Sequence, residues 1–170
     1  VAFVSNGSVG IISTNGKPDA SIDLRQGEVP TDDEITMAMA AALPLAMHPD
    51  PREIAIIGWG SGLTTHTLLG SQVPERVDSI EIERAMHEGA LNFGSRVARA
   101  YQDPRSQVHF DDARTYFSTG QRQYDVIISE PSNPWVSGVA GLFTQEFYGF
   151  LRGHLKPGGI GIQWLQSYEL

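Results

Sequence analysis

Four short stretches of this chain carry side chains whose types and spacing could do chemistry. The first is "EPSNPW", Glu130 to Trp135, which follows directly on the apolar run "YDVIIS". Pro131 and Pro134 stiffen the backbone on either side of Asn133, so the acid at the end of that run is held at a defined place, as a proton acceptor must be. The second is "IIGWGSG", where Gly58, Gly60 and Gly62 alternate with Trp59 and Ser61 after another apolar run. Glycines there let the backbone approach a ligand closely, and a helix starting next supplies free N–H groups. The dinucleotide pattern G-x-G-x-x-G would place its third glycine on Leu63, so a pyrophosphate cradle fits poorly. The third is Glu81, about 20 residues further on, where an acid at a strand end accepts from both ribose hydroxyls. Its neighbour Glu83 reads as an exposed strand-end carboxylate. The fourth is Asp111-Asp112, ahead of a helix expected to begin near Ala113. One of the two caps that helix and the other is free to meet a ligand. Together these stretches describe a site for a nucleoside-type ligand with a carboxylate beside it.

The elements needed to position them are legible as patterns. "VAFVSNGSVGIISTNGKPDASIDL" alternates β-branched runs with turns at Asn6-Gly7 and Asn15-Gly16, which reads as a small β-hairpin region over residues 1–30. Thr31 to Glu34 forms a capping box that opens an Ala/Met-rich helix reaching about Met47. Glu53–Gly58, Val77–Glu83, Gln107–Phe110, Tyr124–Ser129 and Gly158–Leu165 read as five strands, with helical patterns between them. One helix is expected over Thr144 to Leu155, closed by "KPGG". The apolar runs are continuous, as in strands buried on both faces. The expected fold is therefore α/β: a doubly wound, mostly parallel, Rossmann-like sheet over 31–170, stopping after its fifth strand, with the hairpin region in front. All four stretches then fall on the carboxyl edge of one sheet, where such folds bind ligands. Gly138 and Gly141 in "VSGVAGLF" suit a segment that closes over the site.

Composition narrows the partners. The chain has 170 residues, 12 of them basic and 20 acidic, for a net charge of −8. Nucleic acid, which needs clustered Lys and Arg, is not an expected partner, whereas a small cationic substrate suits an acidic surface. There are no cysteines, and the five histidines lack the paired spacing of a metal site, so no metal is expected. No apolar stretch reaches the roughly 20 residues of a membrane span, and no signal peptide is visible. The reading is a cytoplasmic chain, although Val1 is not an initiator Met and a longer protein could carry membrane segments of its own.

From about Asn15 onward the chain resembles the spermidine synthase (polyamine aminopropyltransferase) family, which has the class I S-adenosylmethionine-dependent methyltransferase fold. The resemblance is carried by "LPLAMHPDPREIAIIGWGSG", "VDSIEIE", "DPRSQVHFDDARTYF", "YDVIISEPSNPW" and "GLFTQEFYGFLRGHLKPGGIGIQ", in family order and spacing. It implies transfer of an aminopropyl group from decarboxylated S-adenosylmethionine to an amine. Gly58, Gly60, Ser61 and Gly62 would line the donor, Glu81 would hold its ribose, and Asp112, with Asp111 beside it, its adenine. Glu130 stands where the family has its catalytic acid, and Asn133, Tyr124 and Gln163 would face the amine. A homodimer is compatible with this reading. Three departures stand beside the matches. Ser61 replaces an acid that grips the aminopropyl amine, Asn133 replaces a second acid, and Met37 and Met39 fall on a Tyr-x-Glu pair. They keep open a methyltransferase using intact S-adenosylmethionine, and a non-catalytic domain that binds polyamines or nucleosides.

Overall fold

The computed structural model describes residues 1–25, 29–131 and 139–165. The first three strands, β1 (Ala2–Ser5), β2 (Val9–Thr14) and β3 (Lys17–Asp23), form an antiparallel sheet in that order. Both expected turns are there. Gly7, Asn15 and Gly16 all take positive φ, at 87°, 52° and 79°, the conformations that tight hairpin turns require.

Helix α1 (Asp32–Met47) begins with the expected capping box: Thr31 Oγ1 accepts from the Glu34 amide and Glu34 returns a carboxylate to the Thr31 amide. The buried Glu34 carboxylate also accepts from the Asp23 amide at 2.8 Å and pairs with Arg96. Burial opposes its charge, but these donors hold its carboxyl below the usual range. One cap residue thus joins the end of β3 to the body of the fold.

The central sheet is parallel throughout, with the order β6 (Ser106–Phe110), β5 (Arg76–Glu81), β4 (Glu53–Ile57), β7 (Tyr124–Ser129), β8 (Leu155–Gln163). Its continuous apolar runs are explained by burial on both faces. Ile54, Ile56, Val77, Val126 and Ile128 pack on Ala40 and Ala41 of α1 and on Leu68 of α2 (Leu63–Leu68). Ala55, Ile57, Ile80 and Ile127 point the other way, onto Ala113 and Phe117 of the helix after β6 and Phe147 and Leu151 of the helix after β7. Between β5 and β6 lie α3 (Arg84–Ala90) and α4 (Ala98–Gln102); α5 (Ala113–Thr119) and α6 (Gln145–Arg152) complete the doubly wound arrangement.

The chain leaves β4 toward β5 and returns to β7 on the other side, so the sheet's switch point lies between β4 and β7. Glu130 donates its amide to Ile57 O there, and Gly58 donates its amide to Ile80 O on the opposite side.

Two boundaries differ from expectation. β5 ends at Glu81, because Glu83 leaves the strand to cap α3, accepting from the Ala85 amide at 3.0 Å. "KPGG" does not close a helix: α6 ends at Arg152, and Leu155 to Gly159 already belongs to β8. Gly158 takes φ 82° beside a register shift between Tyr124 and Val126, and a Cβ on Gly159 would stand 3.0–3.2 Å from the carbonyl oxygens of Lys156, Tyr124 and Asp125. Those glycines let a strand pass close to its neighbour, which in sequence looks the same as a helix stop.

Candidate active site

The five parallel strands end on one edge, and four of the five ends carry groups suited to a ligand. After β4 comes the glycine loop. Gly58, Gly60 and Gly62 take φ of 97°, 53° and 80°, all in the region that favours glycine. Gly58 has a second constraint: a Cβ there would stand 2.4 Å from the Glu130 carbonyl oxygen. The close packing of the two loops at the switch point therefore requires glycine. A Cβ on Gly60 would meet nothing within 4 Å, so the space over the middle of the loop is open among the described residues.

Glu130 lies beside that loop, part-buried, and Thr64 Oγ1 in α2 lies 2.9 Å from its Oε2 and 3.2 Å from its Oε1. A single hydroxyl donor is a weak hold on a carboxylate. Burial dominates and pushes the Glu130 carboxyl up to about 7, with the Thr64 hydrogen bond pulling in the other direction. A carboxyl that exchanges its proton near neutrality, at the ligand-facing edge, is placed for acid–base work.

Glu81 closes β5. Its Oε2 accepts from the Trp59 amide and its Oε1 from the Glu83 amide, both at 2.8 Å. Burial raises its carboxyl above the ordinary value, against the pull of those two amides. Each carboxylate oxygen keeps a second lone pair, as a group that accepts from two vicinal hydroxyls needs. At the end of β6, Asp112 is the residue that caps α5, its Oδ1 accepting from the Thr115 amide at 3.0 Å. Asp111 accepts from the Asp112 amide and donates its own amide to Glu81 O. Ile82, 74% exposed, and Phe110, 36% exposed, flank these acids. Carboxylates at two strand ends, the exposed Ile82 beside Glu81 and open space over Gly60 are groups that suit a nucleoside-type ligand.

Three expected site residues lie elsewhere or are differently engaged. Tyr124 is the first residue of β7, so about six residues at ~3.3 Å each separate it from Glu130, on the order of 20 Å along the strand. It is buried at the amino half of the sheet, where its hydroxyl donates to Asp78 at 3.1 Å and meets Tyr116 at 2.9 Å. Asp78, fully buried, accepts there from Arg76 through two guanidinium nitrogens and pairs with His109. Tyr124 is thus part of a structural network and not of the amine site. Tyr124→Phe is expected to cost about 1–2 kcal/mol in urea unfolding and to leave nucleoside affinity unchanged in titration calorimetry.

Ser61 is fully buried, its hydroxyl turned onto Met37 Sδ at 3.1 Å and accepting from the Leu63 amide. It presents no side chain to a ligand. The buried Gly62 is the N-cap of α2 and Gly58 packs against Glu130, so Gly60 is the loop glycine that faces open space. Met37 and Met39 point different ways: Met37 touches the loop, and Met39 is 47% exposed. Asn133 and Gly138 lie outside the described residues. Gln163 ends β8 on the carboxyl edge and donates its amide to Ser129 O and Trp164 O.

Sequence reasoning missed Thr64, Trp59 and Ile82. Thr64 and Thr65 are adjacent hydroxyls in the first turn of α2, and only the fold shows that Thr64 meets Glu130 while Thr65 meets Ser79 at 2.9 Å. Ile82 was absorbed into a strand that ends one residue before it.

Comparison with known proteins adds three findings. The Spermine/spermidine synthase domain profile matches residues 34–170. A polyamine aminopropyltransferase of Nitrosomonas europaea is 34% identical over 126 residues, 74% of this chain and 38% of that protein; the chain spans less than half the length of the curated relatives it matches. Among solved structures, a spermidine synthase in complex with the transition-state analogue AdoDATO superposes with a TM-score of 0.70 at 22% identity, over 92% of this chain and 54% of that one. Human methyltransferase-like protein 13 in complex with SAH gives 0.58 at 23% identity, over 77% and 63%. At those identities the two structures establish the methyltransferase-type fold.

Proposed function

The chain belongs to the spermine/spermidine synthase family, and we propose that it moves an aminopropyl group from decarboxylated S-adenosylmethionine to a small amine. The observation that carries this is Glu130 at the switch point: its part-buried carboxyl, pushed up to about 7 by burial, meets Thr64 of α2, and its backbone carbonyl packs against Gly58. The donor, when bound, supplies a carbon already activated by its sulfonium, so the protein need not generate an electrophile. What the chain's residues must do is bind the nucleoside, hold an amine in line and remove its proton. Glu81 and the acids after β6 bind the nucleoside, and Gly60 leaves room for the transferring arm. Glu130 accepts the amine proton. A free alkylamine titrates near 10.4 in water; burial favours the neutral amine and the neutral acid, whereas the attraction between ammonium and carboxylate favours the charged pair. Thr64 donates to the carboxylate that receives the proton and holds it only weakly, which keeps it basic.

Methyl transfer is the second reading, and the contact between Ser61 and Met37 favours it. Where an aminopropyl ammonium would meet a carboxylate in the family pattern, this chain has a hydroxyl turned onto a thioether. Competition calorimetry on the intact protein, displacing methylthioadenosine with each donor, separates the readings. Aminopropyl transfer predicts that the decarboxylated donor binds about tenfold tighter or more than intact S-adenosylmethionine; the reverse order would assign the site to methyl transfer.

A further inference from the structure

Trp59 is an unexpected residue in a loop otherwise made of glycine and serine, and the structure shows two hydrogen bonds that engage it at once. Its backbone amide donates to Glu81 Oε2 at 2.8 Å. Its indole is buried, with Nε1 donating to the Tyr101 hydroxyl at 3.2 Å, and that hydroxyl donates to His87 O at 2.7 Å. The ring centroid lies 4.6 Å from that of His87 and 5.2 Å from that of Tyr101. His87 in turn meets Phe110 at 5.4 Å, at the end of β6, where the Arg84 guanidinium covers the Phe110 ring at 4.0 Å. The indole also supports the exit of the loop: a Cβ on Gly62 would stand 3.0–3.3 Å from it. Burial pushes the Tyr101 phenol up and the His87 imidazole down, so both stay neutral in this cluster at pH 7.

We propose that Trp59 is a positioning residue for nucleoside recognition: anchored by Tyr101 and His87, it fixes the amide that orients the Glu81 carboxylate toward the ribose. The inference rests on the reading of Glu81 as the ribose-binding acid. Glycines on both sides of Trp59 leave the loop free to turn, and the indole ties it to α3 and α4. Loss of that anchor lets the amide drift and the carboxylate rotate, which weakens recognition of the hydroxyls and not of the base.

The test is titration calorimetry of the intact protein with methylthioadenosine and its 2′-deoxy form, for the parent, Trp59→Phe and Tyr101→Phe. A hydrogen bond to a buried carboxylate should make the parent prefer the ribose form by about tenfold or more. In the variants that preference is expected to fall to about threefold or less, with affinity for the deoxy form changed by less than about threefold. Tyr101→Phe keeps the ring and removes only the hydroxyl, so it carries the test if Trp59→Phe does not fold. A parental preference retained by a folded variant, or equal weakening of both ligands, overturns the positioning role. Equal affinity of the parent for both forms overturns the ribose reading of Glu81 and, with it, this proposal.

Discussion

Glu130→Gln is expected to lower turnover by about 10²–10⁴-fold, the usual contribution of a positioned proton acceptor, while methylthioadenosine affinity stays within about threefold. The amide fills the same space and still meets Thr64, but it cannot take a proton. Steady-state kinetics with calorimetry on the same protein separates the two effects. The pH dependence follows from the same group. Glu130 titrates at about 7 in the fold against an ordinary value of 4.5, so the active carboxylate forms as pH rises, and kcat/KM should climb with an apparent pKa near 7.

Stability moves in the opposite direction. The folded state favours the neutral acid, so the contribution of Glu130 is whole below about 4.5 and is lost as pH rises through about 7. In thermal or denaturant unfolding, Glu130→Gln should therefore differ little from the parent at pH 4. At pH 8 it should exceed the parent by about 3 kcal/mol, the equivalent of that shift at 1.36 kcal/mol per unit.

The second large effect concerns Gly58. Gly58→Ala forces a Cβ to 2.4 Å from the Glu130 carbonyl oxygen, at φ 97°. Relief requires the β4 and β7 loops to separate, at a cost expected to exceed about 3 kcal/mol and with loss of nucleoside binding. Gly60→Ala is the control, since its φ of 53° lies in the left-handed helical region and its Cβ meets open space. It should cost about 1–2 kcal/mol. Equal destabilisation by the two changes would show that strain alone, and not the approach of the two loops, sets the requirement.

That contrast also marks how far the sequence could be read. The alternation of glycines announced a ligand-facing loop, but not that one glycine serves a turn, another open space, and a third the contact between two loops. The hairpin turns, the capping box and the carboxyl edge of the sheet followed from local chemistry: Asn-Gly pairs, Thr31 with Glu34, and apolar runs that end in acids. Pairwise facts did not follow. Tyr124 was misassigned because a six-residue strand spans most of the sheet, and its two ends share a sequence neighbourhood without sharing a site. Ser61 is placed at the donor by the resemblance, and a position in a family pattern does not say which side chain turns inward; its partner Met37 lies on α1, distant in sequence. "KPGG" was read as a helix stop, since glycine serves a close strand approach with the same letters.

We propose that Glu130 and the glycine loop form one aminopropyl-transfer site. It is tested most directly by incubating the intact protein with decarboxylated S-adenosylmethionine and a panel of small diamines, and following products by mass spectrometry. The expected result is equimolar methylthioadenosine and an amine heavier by one aminopropyl group, both lost in Glu130→Gln. Methylation of an acceptor by intact S-adenosylmethionine with no aminopropylated product, or undiminished product from Glu130→Gln, would contradict it.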